Sequence, residues 1–361
     1  MKKNNKKVLA VHLPAFHEIP ENNEWWGDGF TEWTNVKSGK PLYNGHYQPI
    51  VPMNNNYYDL SKINDLKKQA DMARAYGVYG FVFYHYWFGN GRMLFQKPAE
   101  MILENMDINT HFCFAWANGT WYTTWHGLDP KTLLEQKYPG KSDWKKHFEY
   151  FKKFFLDDRY IKVDNKPMLY IYIAKNIPDY DEMISYFGKR CQEIGFDGIY
   201  TVEYIHPGNK ELYSEKSDAV YEFEPRYSLF FDVSKLHLLK RFITKKREET
   251  EFESYDGVWK AILSRDRTYK SKTIISGCFS GWDNTARKGK KGLIVEGKSV
   301  EKFKKYFEQF YTSKRKDISD EFCVINAWNE WSEGAYLEPD DKDGYGYLEV
   351  IRDVVNKYEE N

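Results

Sequence analysis

Eight short runs of β-prone, apolar residues punctuate the chain, at 8–12, 80–86, 111–117, 167–173, 199–204, 219–223, 273–279 and 322–327. Between them, apolar residues recur at helical spacing. Ile63, Leu66, Ala70 and Ala73 share one face, as do Ile184, Phe187, Cys191 and Ile194, then Val300, Phe303, Phe307 and Phe310, then Leu348, Ile351, Val355 and Tyr358. Strands alternating with helices pair in parallel, because each helix carries the chain back to the edge where the last strand began. Eight such units with a helix after the last close a barrel more naturally than they extend an open sheet. The expectation is an α/β chain forming a single (β/α)₈ barrel domain over residues 1–361. The segments near 210–216 and 255–263 carry the faintest helical period.

Long connections then mark where function resides. Residues 17–58, 225–253 and 280–298 each follow a strand, so in a barrel they lie over the carboxyl-end face. The first is crowded with Trp25, Trp26, Phe30, Trp33, Tyr43, Tyr47, Tyr57 and Tyr58 and reads as a binding wall. The other two are rich in Lys and Arg and read as solvated surface. The overall aromatic content of 18%, including 12 Trp and 29 Tyr, exceeds what a core needs and suggests stacking platforms.

The eighth run leads into Asn329-Glu330-Trp331-Ser332-Glu333-Gly334. Two carboxylates three residues apart on a turn sit about 5–6 Å from one another, close to the about 5–5.5 Å of a retaining glycosidase pair. Acids that close do not ionise independently, so one is expected to hold a proton while the other acts as base. Glu330 and Glu333 are therefore the candidate catalytic residues. Around them, the strand ends supply the candidate sugar contacts: His12; Tyr84, His85 and Trp87; Trp116 and Asn118; Glu203 and Tyr204; Glu222; Trp282 and Asp283; Asn329 and Trp331. Trp25, Trp26 and Trp33 join them from the first connection. Aromatic faces beside carboxylates and amides suit a sugar, whose C–H faces stack while its hydroxyls take directed hydrogen bonds.

Five segments together carry a resemblance: Trp25-Trp26-Gly27-Asp28-Gly29-Phe30-Thr31-Glu32-Trp33-Thr34-Asn35-Val36, Gly45-His46-Tyr47-Gln48-Pro49, Phe83-Tyr84-His85-Tyr86-Trp87, Gly281-Trp282-Asp283-Asn284 and the Glu330/Glu333 turn. The chain resembles the WbsX-type family of polysaccharide-biosynthesis proteins, itself similar to glycoside hydrolase family 99, the endo-α-mannosidases and mannanases. The resemblance implies a (β/α)₈ barrel, no metal or other cofactor, and retaining chemistry on an α-linked sugar of lipopolysaccharide or capsule. It further implies that Glu330 takes the proton of the substrate 2-hydroxyl, which attacks the anomeric carbon, and that Glu333 protonates the leaving oxygen. One departure stands out. Relatives are expected to read Trp-Ala-Asn-Glu-Asn-Trp where this chain has Trp116-Ala117-Asn118-Gly119-Thr120-Trp121, which bears on the identity of the sugar.

Other classes are constrained by composition. The 53 basic and 53 acidic residues cancel, so no net field draws the chain to nucleic acid or anionic lipid. Cys113, Cys191, Cys278 and Cys323 lack metal-ligand spacing and read as buried free thiols. Without an apolar leader-like region or a membrane span, a cytoplasmic location is expected. Gly277-Cys278-Phe279-Ser280-Gly281 is no nucleophile elbow, and no phosphate-binding loop occurs. Two rivals remain: a nucleotide-sugar glycosyltransferase using Asp341-Lys342-Asp343 for a metal, and a carbohydrate-binding barrel that needs the aromatics but not the acids. The oligomeric state is not encoded in any of these features.

Overall fold

The eight runs pair as their alternation with helices requires. The computed structural model describes residues 6–123, 131–233, 241–244, 247 and 249–359. Its barrel strands are β1 (Lys7–His12), β2 (Val78–Trp87), β3 (His111–Trp116), β4 (Lys166–Ile171), β5 (Tyr200–Ile205), β6 (Ala219–Glu222), β7 (Thr273–Phe279) and β8 (Ile318–Asn326). Each is parallel to the next, and β8 pairs with β1 to close the ring, with Lys7 opposite Phe322 and Ala10 opposite Ile325. The chain forms a closed (β/α)₈ barrel.

Helices α1 (Pro20–Trp26) and α2 (Glu32–Ser38) lie in the first connection, ahead of α3 (Ile63–Ala75). Next come α4 (Lys97–Glu104), α5 (Lys141–Phe155), α6 (Tyr180–Gln192), α7 (Arg226–Phe231), α8 (Tyr255–Ser264), the short α9 (Thr285–Lys288), α10 (Val300–Tyr311) and α11 (Gly346–Glu359). The apolar stripes face inward: Leu66, Ala70 and Ala73 of α3, Phe187 and Cys191 of α6, Phe303 and Phe307 of α10, and Leu348 and Ile351 of α11 are all buried. The expected helix over 255–263 forms, with the Ser254 hydroxyl accepting from the Gly257 amide at 3.2 Å. The one near 210–216 does not. That segment wraps the Glu203 carboxylate instead, giving it the amides of Tyr213 (2.7 Å) and Ser214 (3.0 Å), while the Ser217 hydroxyl donates at 2.6 Å. A helix would keep those amides for its own ladder.

All four cysteines are free and buried. No helix among the described residues is long and apolar enough to cross a membrane. Of the basic connection 225–253, residues 234–240, 245–246 and 248 lie outside the described residues.

Side chains alternate across each strand, and this decides which strand-end residues meet the barrel interior. On the helix-facing side of β6, Glu222 takes Arg265 at 2.9 Å and Arg315 at 2.9 Å. Arg265 also reaches Glu224 at 2.7 Å and lies over the Tyr227 ring at 3.8 Å. The network is almost wholly buried, so removing Arg265 leaves Glu224 without its cation in low dielectric and Glu222 with Arg315 alone. Arg265→Met is expected to lower unfolding free energy by about 3–5 kcal/mol in urea titrations. Lys270→Met, which breaks the exposed pair with Glu215, is expected to leave the urea midpoint where it was.

Candidate active site

Beyond Asn326 the chain leaves the barrel and doubles back at once: Asn329–Glu330 pairs antiparallel with Ala335–Tyr336, across a 3₁₀ turn at Trp331–Glu333. Gly334 closes that turn at φ 61°, and a Cβ there would come within 2.8 Å of the Asp283 amide, so only glycine fits. Asn329 staples the turn to the end of β1, its Oδ1 accepting from the Leu13 amide (2.7 Å) and its Nδ2 donating to the Leu13 carbonyl (2.9 Å). Trp331 is buried between the two acids in sequence. It stacks on Tyr336 at 4.1 Å and donates through Nε1 to Glu338 at 2.7 Å. Glu338 also accepts from Tyr58 (2.7 Å), Gln69 (2.7 Å) and Trp328 (3.1 Å). Four donors converge on one carboxylate, which locks the floor of the turn.

Above that floor, a single guanidinium gathers three acids. Arg287 of α9 donates from Nη1 to Glu333 Oε1 (3.0 Å), from Nη2 to Glu330 Oε2 (3.4 Å), and from Nε and Nη2 to Glu32 Oε1 (2.9 and 2.7 Å). Glu32, on α2, is further held by Asn35 Nδ2 (3.2 Å) and by the Ser332 hydroxyl. Burial pushes the Glu330 carboxyl up to about 8; Glu333 and Glu32 add to the rise, and Arg287 opposes it. The same three carboxylates hold Arg287 more firmly protonated than a free arginine. The arrangement offers a carboxyl poised near neutrality and a second carboxylate on the same turn, which is the equipment of general acid–base chemistry.

Tyrosines line the wall facing Glu330. Tyr84 and Tyr86 of β2 and Tyr172, just past β4, all feel the charge of Glu330, and burial raises each phenol above its ordinary value. Tyr204 joins them from β5, its ring packed on Tyr172 at 5.3 Å. Trp25 and Trp26 are half-buried near this rim, Trp25 against Trp121 at 6.0 Å. Asp283 links the acid turn to the first connection, accepting from Gln48 at 2.9 Å and hydrogen-bonded to His46 at 2.8 Å, while its amide donates to the Glu333 carbonyl at 2.6 Å. Trp282 beside it is buried, its carbonyl accepting from Val295 at 2.8 Å.

The remaining candidates from the sequence lie elsewhere. His85 and Trp87 project from the opposite face of β2 to Tyr84, toward α5, where His85 meets His147 Nε2 at 2.9 Å and Trp87 donates to Asp143 at 3.1 Å. Trp116 donates to the Trp87 carbonyl at 3.0 Å, also on the helix side. His12 sits between Phe81, Phe83 and Gln69, fully buried, and desolvation holds its pKa down to about 4. Asn118 clasps Ile173 through both its amide atoms, at 2.8 and 2.9 Å. Glu203 and Glu222 carry the structural hydrogen bonds described above. Trp33 is buried against Phe16, Tyr58 and Trp331 and donates to the Tyr58 carbonyl at 2.8 Å. Asp341 and Asp343 flank a turn whose capping carboxylate is Asp340, which accepts from the amides of Lys342 (3.1 Å) and Asp343 (2.6 Å).

Residues absent from the sequence-derived set are Arg287, Glu32, Tyr86, Tyr172 and Glu338. Strand parity signals Tyr86 once Tyr84 is placed. Arg287 overturns the reading of its basic connection as solvated surface: three acids pull it inward. Nothing in the local sequence marks it out from its neighbours Lys288, Lys290 and Lys291.

Residues 8–351 match the family described as glycosyltransferase WbsX. The chain belongs to that family. Protein WxcX of Xanthomonas campestris pv. campestris, described as uncharacterized, is 30% identical over 358 residues, covering 97% of this chain and 50% of WxcX. This WbsX-family chain thus spans about half the length of the curated relatives it matches. Among solved structures, a GH99 endo-alpha-mannosidase from Bacteroides thetaiotaomicron superposes with a TM-score of 0.55 at 13% identity, covering 98% of this chain and 97% of that one. A glycoside hydrolase-like protein superposes with a TM-score of 0.60 at 13% identity, covering 98% and 95%. The WbsX-family chain therefore shares its fold with GH99 proteins.

Because the folded Glu330 carboxyl titrates near 8 rather than at its ordinary 4.5, ionising it opposes folding. The native state holds this proton between those two values and the unfolded state does not, so the contribution of Glu330 to stability falls as pH rises from 4.5 to 8. Glu330→Gln is expected to raise the melting temperature over the unsubstituted protein by more at pH 8 than at pH 4.5, as read by calorimetry at both.

Proposed function

We propose that this barrel is one catalytic domain that cleaves an α-linked, mannoside-like bond in an oligo- or polysaccharide with retention of configuration. The observation that carries the reading is the pair Glu330 and Glu333 on one turn at the carboxyl end of β8, bridged by one guanidinium and facing a wall of tyrosines. Family membership and the fold shared with GH99 proteins support it. The site does not need a metal for this chemistry.

In the first step Glu330 takes the proton of the sugar 2-hydroxyl. The oxygen attacks the anomeric carbon while the glycosidic bond breaks, and Glu333 gives its proton to the departing oxygen. In the second, Glu333 takes a proton from water, which attacks the anomeric carbon, breaks the three-membered ring and lets O2 recover its proton from Glu330. Two inversions return the original configuration. Arg287 keeps both carboxyl groups oriented and offsets their charge. Tyr84, Tyr86, Tyr172 and Tyr204 supply hydroxyls for the sugar, and Trp25 and Trp26 supply apolar faces. If a sugar hydroxyl replaces water in the second step, the same residues perform transfer, which fits the name of the family and a place in surface-polysaccharide assembly.

Glu330→Gln and Glu333→Gln are each expected to lower kcat by about 10²–10⁴, with the circular dichroism spectrum unchanged. Product analysis on α-linked manno-oligosaccharides reads this, and near-normal turnover in both variants sinks the assignment. A 2-deoxy substrate is expected to lose turnover altogether; cleavage with a sugar esterified to Glu330 would replace the neighbouring-group route by direct attack. The reaction starts with one proton on the pair, carried by Glu333, and the pair loses it as pH rises through about 8, so kcat/KM is expected to fall through that value. Arg287 opposes the rise in the pKa of Glu330, so Arg287→Gln is expected to move the limb upward.

A further inference from the structure

The three long connections enclose a second concavity, lined mostly by the second of them. A short parallel ladder joins Glu251–Ser254 to Leu293–Glu296, and against it the Leu42–Tyr43 segment leaves a cleft of about 530 Å³. That is the size of a small-ligand site, for which about 300–1,000 Å³ is usual. Tyr43 and Phe252 form part of its lining, 40% and 47% exposed, with ring centroids 5.8 Å apart and planes at 62°. Two large, inclined rings this exposed leave apolar surface open to solvent, a feature of binding surfaces rather than of scaffolding.

The polar lining restricts what those faces take. Glu249, Glu251 and Glu253 stand against Arg241 and Lys290. Three carboxylates against two cations disfavour a polyanion. Part of this charge is already paired, Arg241 Nε donating to Glu251 at 2.6 Å. Carboxylate oxygens beside aromatic faces accept hydroxyl protons, which suits an uncharged sugar.

The cleft is mechanically continuous with the acid pair. Tyr43 stacks on His46 at 4.8 Å and 5° between planes, His46 meets Asp283 at 2.8 Å, and the Asp283 amide holds the Glu333 carbonyl. On the other wall, Val295 of the ladder donates to the Trp282 carbonyl at 2.8 Å. We propose that this cleft is an outer glycan subsite, binding uncharged sugar units of the same chain whose reacting bond lies at Glu330 and Glu333. The inference rests on the glycosidic reading of the acid pair, and its test separates the two.

Calorimetry in the Glu330→Gln background, which keeps chains intact, measures affinity for α-linked manno-oligosaccharides of two to eight units. Affinity is expected to rise with length, and Phe252→Ala to weaken the octasaccharide about tenfold, the scale of one stacking face, bringing it towards the disaccharide. Phe252→Tyr is expected to keep the rise. Absence of length dependence, or length dependence unchanged in Phe252→Ala, overturns the subsite. Cleavage of the same ladder by the unsubstituted protein is followed separately. Length-dependent binding sensitive to Phe252 without any cleavage would uphold the subsite and remove the glycosidase reading, whereas cleavage with Phe252-insensitive binding would do the reverse.

Discussion

One guanidinium holds the mouth of this barrel together. Arg287 collects Glu32 from the first connection and Glu330 and Glu333 from the last, three acids that in its absence would repel one another in a space with little water. Buried carboxylates so close are costly unless a cation is placed among them. The geometry that makes the acid pair useful is therefore inseparable from the α9 helix that delivers the arginine. The same arginine limits how far Glu330 rises, leaving it near neutrality rather than permanently protonated.

Beneath this layer lies a carboxylate held without a cation. Glu338 accepts hydrogen bonds from two tryptophans, a tyrosine and a glutamine, so Trp331 is fixed from below while its flanking acids are fixed from above. Indole and phenol donors can satisfy a carboxylate without bringing a second charge into the core.

Much of the architecture was legible because hydrophobic period reports directly on which face an element buries. The eight strands followed from that, and Glu330 and Glu333 were read from the polar segment that follows the last of them. The helix expected near 210–216 failed where a buried carboxylate, Glu203, claimed the local amides. Strand-end residues were harder, since position at a strand terminus does not say which way a side chain points. Tyr84 faces the mouth, whereas its neighbour His85 faces α5. Strict alternation along 84–87 would have exchanged His85 and Trp87 for Tyr86. Arg287 and Glu32 are 255 residues apart in sequence, and no local pattern encodes a pairing of that range. Whether the helix-facing residues influence sugar choice through the residues they support is a question of packing, not of contact.

The staple between Asn329 and Leu13 spans 316 residues. Contacts of such separation form late, after the loops they close have already paid their entropy. A ribosome releases the amino end of this chain long before the carboxyl end exists, so β1 and the aromatic first connection must wait, unpaired on one edge, for β8 to arrive. A nascent or truncated chain that lacks the last strand is thereby also a chain without Glu330 and Glu333.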